Sequence, residues 1–367
     1  MNFQLTEERQ MLQDGLRRFL RDTVTPDLLA KATDSETGHS ETLWQGLTEM
    51  GIQGAMFTEE QGGFGGAGFD IMVVFEELGR AGVFEPVLES AVLAGGLAQD
   101  AAQIEAIIGG AILSLAHAEP TSRYDLSHLE TRAEQTASGY RINGHKAVVH
   151  HAGAASNLVV SARISGEAAD EDGISLFLIP ADAVQMRDYA LNGGGRAAEI
   201  ALDLEVPESA LIGGEGGAFA ALEQANARAT AAICAEALGL MEAIKTLTVD
   251  YLRQRKQFGQ PIGKFQALQH RMADVLIEIE QARSAVINLC GHLEADRATR
   301  EVHVSAAKNL IGRVGRLVVE EAIQMHGGIG MTQEYELGHL AKRLTMIDHR
   351  FGDSDYHLER FIRLAAA

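Results

Sequence analysis

The stretch that most constrains this chain is YLRQRKQFGQPIGKFQALQHRMADVLIEIEQAR, residues 251–283. A helical pattern ends in the basic residues Arg253, Arg255 and Lys256, which suit the negative end of a helix macrodipole. Gly259, Pro261 and Gly263 then stop it. Beyond the break, Phe265, Leu268, Met272, Val275, Leu276 and Ile279 recur three and four apart, which draws one apolar stripe along a second helix. Periodicity alone therefore reads as a helical hairpin with a bundle face, its basic residues doing no more than cap a helix.

A chain of 367 residues is long enough for two or three domains or one large core. Aromatics are only 5% against 46% apolar residues, a mixture rich in Ala, Leu and Gly that favours helices packed through small side chains. The formal net charge of -20 argues against nucleic acid or an anionic membrane surface as main partner, since either needs a basic field. An anionic cofactor would need local basic residues. The opening MNFQLTEERQ has no apolar signal core, and no apolar run is long enough to span a bilayer, so a cytoplasmic location is expected. Cys234 and Cys290 lie in helix-like segments without CxxC spacing, which points to reduced buried thiols.

Residues 1–111 read as helices. Thr6 can cap the first, with Met11, Leu12, Leu16, Phe19 and Leu20 on its apolar face. Gly63, Gly65 and Gly68 fit G-x-G-x-x-G, but Thr58-Glu59-Glu60-Gln61 before them is no buried strand, so no dinucleotide-binding unit follows. Over 112–213 the period changes. Ile112 to Ala116, Tyr140 to Ile142, Ala147 to His150, Leu158 to Ala162 and Ile174 to Ile179 are short β-prone runs, and Asn143-Gly144 predicts a hairpin turn. His150-His151 invites a metal, yet adjacent strand residues point to opposite faces and no third ligand is placed, so none is expected. Residues 214–367 read as helices again, opening with a long Ala-rich segment from about 218 to 256.

The string RKQFG-x-PIG-x-FQ-x-x-Q-x-x-x-A-D resembles the flavin-proximal hairpin of the acyl-CoA dehydrogenases. Gln324-Met325-His326-Gly327-Gly328-Ile329-Gly330-Met331 is similar to the family's Q-x-x-G-G-x-G segment, at about the family's spacing. The resemblance implies an N-terminal helical domain, a middle β-barrel domain and a C-terminal four-helix bundle, with FAD as cofactor. It implies desaturation of an acyl-CoA thioester between Cα and Cβ, a carboxylate removing the α-proton while the β-hydrogen leaves as hydride to the flavin. Arg255, Phe258, Gln266, Gln324, Gly327 and Gly328 are then expected to clasp the pyrophosphate and adenine end of FAD.

Elsewhere the chain departs from the family pattern. The flavin-ring loop reads Ala118-Glu119-Pro120-Thr121-Ser122-Arg123-Tyr124-Asp125, with Tyr124 where serine is usual. His150 takes the place of the threonine that faces the flavin. The usual catalytic glutamate falls at Phe351, and a second family position falls at Ala229. Asp353 is the remaining candidate base or cofactor contact; the alternative is a helix-start carboxylate. A clasp without a base resembles the small subunits of heteromeric acyl-CoA dehydrogenases of the pimeloyl-CoA and steroid side-chain types. The expected partners are an acyl-CoA substrate and a paralogous subunit, in an assembly of about four chains. A flavin-free scaffold or regulatory subunit, or a helical binding protein with no redox role, are the competing readings.

Overall fold

The computed structural model describes residues 5–366. Helices α1 Glu7–Thr23, α2 Pro26–Asp34, α3 Glu41–Glu49 and α4 Gly68–Arg80 come first. A π-helical stretch, Leu88–Ala94, runs into the single turn α5 Gly95–Leu97, followed by α6 Ala101–Ile108. The strands are β1 Leu113–Ala116, β2 Arg132–Gln135, β3 Gly139–His150, β4 Asn157–Arg163, β5 Ile174–Pro180, β6 Gln185–Ala190, β7 Arg196–Pro207 and β8 Leu211–Ile212. Helix α7 Phe219–Gln254 leads to the two-residue strands β9 Lys256–Gln257 and β10 Gln260–Pro261, then to α8 Gln266–Cys290, α9 Arg297–His326, α10 Glu336–Asp348 and α11 Ser354–Ala365. The helix, β, helix order is the one the sequence implies.

The chain forms two compact units, and the cut between them falls inside α7. One unit comprises the residues up to Pro26, Ala67–Val83, and the chain from Thr230 onward. Here α1 starts as expected, with the Thr6 hydroxyl accepting from the Arg9 amide, and it buries Leu16 and Leu20 while Met11 stays exposed. The Gly and Ala content has a direct use. A Cβ at Gly79 would stand 2.0 Å from the Glu236 carbonyl, and one at Gly239 2.0 Å from the Glu76 carbonyl, so α4 and α7 cross at backbone contact. On α8, Met272, Val275 and Ile279 of the predicted stripe are buried, while Leu276 is exposed. Helix α9 packs against α8, α10 and α11, so the C-terminal region holds more helices than a four-helix bundle.

The other unit, Asp27–Gly66 with Phe84–Ala229, contains the sheet. Strand order is β6-β7-β3-β2-β4-β5-β8, with β1 pairing parallel to β4. This corrects the expected β-barrel: the end strands β6 and β8 do not pair with each other, and β8 has only two residues with which to close a ring. Side chains from β3, β4, β5 and β7, among them Ile142, Leu158, Val160, Phe177, Ile179 and Ile200, form its core. A second correction concerns Asn143-Gly144, which makes no turn. Strand β3 runs unbroken through it, with Asn143 opposite Asp203 and Gly144 opposite Leu202. Glycine is needed there because a Cβ would lie 2.4 Å from the Thr131 hydroxyl, a close approach of strands rather than a reversal.

Candidate active site

At the end of α7 the chain reverses at once. Strands β9 and β10 pair Lys256 with Pro261 and Gln257 with Gln260, around Phe258 and Gly259 at φ 53° and 80°. Two positive φ values in a two-residue loop mark a type I′ turn, a place that favours Asn or Gly and crowds a bulky side chain. Phe258 is 91% exposed at the tip, and its ring meets Phe265 edge-on at 6.1 Å. Arg255 lies outside the helix, so the expected basic cap reduces to Arg253 in the last turn. The Arg255 amide donates to the Tyr251 carbonyl at 2.8 Å, and its own carbonyl accepts from the Ile262 amide at 2.8 Å. Its guanidinium is exposed and forms no ion pair among the described residues. Gln266, also exposed, opens α8.

The second motif ends α9. Gln324 is exposed in the last turn, and Gly327 follows the helix at φ 66° and ψ -147°, a region only glycine enters freely. Gly328 has no such backbone demand, and a Cβ on it would meet nothing within 4 Å. The two motifs are joined by a residue the sequence reading overlooked. The His326 ring stacks on Tyr251 with centroids 4.5 Å apart, and its Nε2 lies 3.2 Å from the Tyr335 hydroxyl. Its Nδ1 is 2.8 Å from the Ala322 carbonyl, and burial lowers its pKa, which keeps the ring neutral. Arg255, Tyr251, His326 and Gly327 thus form one connected edge. An exposed guanidinium with no ion pair, on the same edge as glycines with open space above them, suits a ligand that carries phosphate.

The loop 118–125 and the strand segment 147–150 lie in the sheet unit. Between Lys146 and Val149 the register of β3 against β7 shifts, and Val148 takes φ 52° with 47% exposure. This bulge sets His150, which pairs with Ala197 and is half-buried. His151 lies past the strand end in a left-handed conformation. The Ala118 carbonyl accepts from the Ala147 amide at 2.8 Å, which ties loop to bulge. Behind them Lys146 Nζ donates to Glu119 Oε1 at 2.8 Å. Burial pushes the Lys146 ammonium down to about 8 against the pull of Glu119. Burial also opposes ionisation of Glu119, but the Lys146 charge and the bonds from Lys146, Thr131 and the Glu130 amide outweigh it and hold the carboxyl below its ordinary value. His117 stands beside them, Nδ1 2.9 Å from the Ser161 hydroxyl; burial first, then the Lys146 charge, pushes it to about 4.

The turn between α10 and α11 holds the base candidates. Phe351 has φ 57° and Gly352 φ 109°, and Asp353 is the N-cap of α11, its carboxylate accepting from the Tyr356 amide at 2.8 Å. Two further groups that sequence reading missed fasten this turn. Lys308 of α9, fully buried, donates to the carbonyls of Asp348 at 3.0 Å and Gly352 at 2.7 Å. His357 Nε2 lies 2.9 Å from the Phe351 carbonyl; burial, then the Lys308 charge, lowers that imidazole to about 3. Lysine directly after the small residues Ser305-Ala306-Ala307 was the available signal. The second family position, Ala229, is fully buried. Glu236 is buried and paired with Arg343 at 2.5 Å.

Three family models match the chain in order: the acyl-CoA dehydrogenase N-terminal domain over residues 6–99, the middle domain over 114–201 and the C-terminal domain over 216–364. The chain belongs to the acyl-CoA dehydrogenase family. It is 28% identical to the probable acyl-CoA dehydrogenase YngJ of Bacillus subtilis, over 99% of this chain and 98% of that protein. Among solved structures, butyryl-CoA dehydrogenase from Megasphaera elsdenii is 26% identical with a TM-score of 0.89, covering 100% of both chains. A Tcur3481-Tcur3483 steroid ACAD variant is 29% identical with a TM-score of 0.86, covering 98% of each. As an acyl-CoA dehydrogenase, the chain is an oxidoreductase polypeptide. The family's N-terminal domain does not coincide with one compact unit here, because Ala67–Val83 packs with the chain from Thr230 onward. Among the described residues no group of three or more His, Cys, Asp or Glu could hold a metal, and no helix is long and apolar enough to cross a membrane.

Proposed function

We propose that this chain is the FAD-clasping subunit of a mixed acyl-CoA dehydrogenase, in which a paralogous chain supplies the carboxylate that takes the α-proton of an acyl-CoA thioester. The observation that carries the reading is the Phe351-Gly352-Asp353 turn. Phe351 has no group to accept a proton, its carbonyl is bonded to His357, and the Asp353 carboxylate is engaged at the Tyr356 amide. FAD, when bound, supplies the acceptor for the hydride that leaves the β-carbon. Arg255 suits its pyrophosphate through charge-assisted bonds, Gln324 offers a further exposed polar group, and Gly327 and Gly328 give the backbone room to approach. Phe258 and Gln266 flank that clasp, and His150 stands at the position expected to face the ring. The likeness to a steroid ACAD named for two components supports a two-chain assembly and a bulky acyl group, degraded from a fatty acid or a steroid side chain.

Purified alone, the chain should oxidise acyl-CoA thioesters poorly; mixed with a glutamate-bearing paralogue it should gain both flavin absorbance and turnover. Light scattering of that mixture should give about four chains per particle. Turnover by the chain alone, abolished by Asp353→Asn with flavin still bound, would place the base here and end the mixed-assembly reading. A colourless reconstituted complex would favour the flavin-free subunit instead.

A further inference from the structure

The Lys146–Glu119 pair is the most deeply buried ion pair described, with side chains 0% and 2% exposed. A buried ion pair is a poor source of net stability, because well-packed apolar residues of similar volume hold a core as well or better. What such a pair supplies, and an apolar pair does not, is direction. Lys146 Nζ also reaches the His117 carbonyl at 3.2 Å and the Ser161 hydroxyl at 3.3 Å. The Glu119 carboxylate accepts from the Glu130 amide at 2.6 Å, the Thr131 amide at 3.0 Å and the Thr131 hydroxyl at 2.5 Å. The ends of β1 and β2, the middle of β3 and β4, and the loop after β1 are all referred to one point. Next to that point lies the bulge, where Val148 holds a left-handed backbone that a β-branched side chain adopts only when its surroundings over-determine it. Lys146 anchors the bulge on one side; the pairings of Val149 with Ala198 and His150 with Ala197 anchor it on the other.

We propose that Lys146 and Glu119 are positioning residues, which set the loop 118–125 and the bulge leading to His150 at the mutual distance that the flavin ring requires. This rests on the FAD reading given above, since only a bound ring makes that distance matter. The pair touches no reacting atom. Its effect passes through the Ala118 carbonyl bond to the Ala147 amide and through the strand to His150.

The test is the double replacement Lys146→Met with Glu119→Gln, which removes both charges and nearly conserves volume, in the full chain reconstituted with its glutamate-bearing paralogue. The variant should melt cooperatively. Amide exchange should quicken in 118–125 and 147–150 together, FAD should bind roughly tenfold more weakly, and the visible band of bound flavin should shift. Arg255→Ala is the comparator, weakening FAD binding while leaving exchange in the two segments and the flavin band unchanged. Should the double variant fail to fold, Lys146→Arg keeps the charge but replaces a compact ammonium by a planar fork, and it should give the same paired signature. Wild-type exchange, FAD dissociation constant and flavin band in a folded variant overturn the positioning role and leave the proposed function standing. A wild-type chain and its complex that take up no FAD overturn the function itself, and the role with it.

Discussion

The clasp and the flavin-ring loop are both assigned to FAD binding in the proposed function, yet they are built in opposite ways. Arg255, Phe258, Gln266 and Gln324 are exposed and short of protein partners, set on a hairpin of two-residue strands and on helix ends. Lys146, Glu119, His117 and Ser161 are buried and bonded to one another or to backbone. A polar group aimed at a ligand stays available, whereas a polar group that maintains geometry is satisfied internally, because an unsatisfied buried charge is costly. The clasp should therefore respond to substitution in binding and the loop's support in stability.

The largest effect is expected from Lys146→Met alone, which strands the Glu119 carboxylate in the sheet. It should cost about 3–5 kcal/mol in urea unfolding, where Arg255→Ala changes stability by no more than ~0.5 kcal/mol. Equal losses at the two positions would break the contrast.

Acid comes next. His117 is held near 4 in the folded chain against an ordinary value of 6.5, so between those limits the unfolded chain binds the extra proton. Its contribution is fully present above 6.5 and is lost as pH falls towards 4, amounting to about 3 kcal/mol. His357, held near 3 in the helical unit, acts with the same sign. Urea midpoints between pH 7 and pH 4.5 should fall less steeply for His117→Gln than for wild type, with the His357 share retained.

Arg255→Ala should weaken FAD retention by the reconstituted complex by about 1.5–3 kcal/mol, the range for a hydrogen bond to a charged group, read as flavin absorbance per chain during dialysis. Retention like that of wild type would remove Arg255 from the clasp. The smallest effect sharpens the comparison most. Phe258→Asn suits the positive φ of a type I′ turn and should raise stability by about 0.5 kcal/mol, while costing FAD affinity if the exposed ring is kept for the ligand. A gain in stability without that loss would make Phe258 an ordinary turn residue.

The motifs proposed for the site are written into local sequence. R-x-x-F, Phe265-Gln266 and Q-x-x-G-G each lie within a few residues, and their types announce anion binding and close backbone approach. Legibility stopped where one local signal had two physical meanings. Asn143-Gly144 reads as a hairpin, yet the glycine serves the approach of Thr131, which leads into β2. Asp353 reads as a base or as a cap, and the backbone at Tyr356 takes its carboxylate.

The sequence by itself determined the helix, β, helix order and the family, because helical periodicity, β-prone runs and motif spacing are short-range properties of a chain. Only the tertiary structure decided that the middle sheet stays open, that His326 joins the two clasp motifs, that Lys146 reaches Glu119 across 27 residues, and that Lys308 fastens the Phe351 turn across 44. These depend on which buried donor finds which acceptor, and a buried polar group takes whatever partner the fold brings within about 3 Å, wherever that partner lies in the chain.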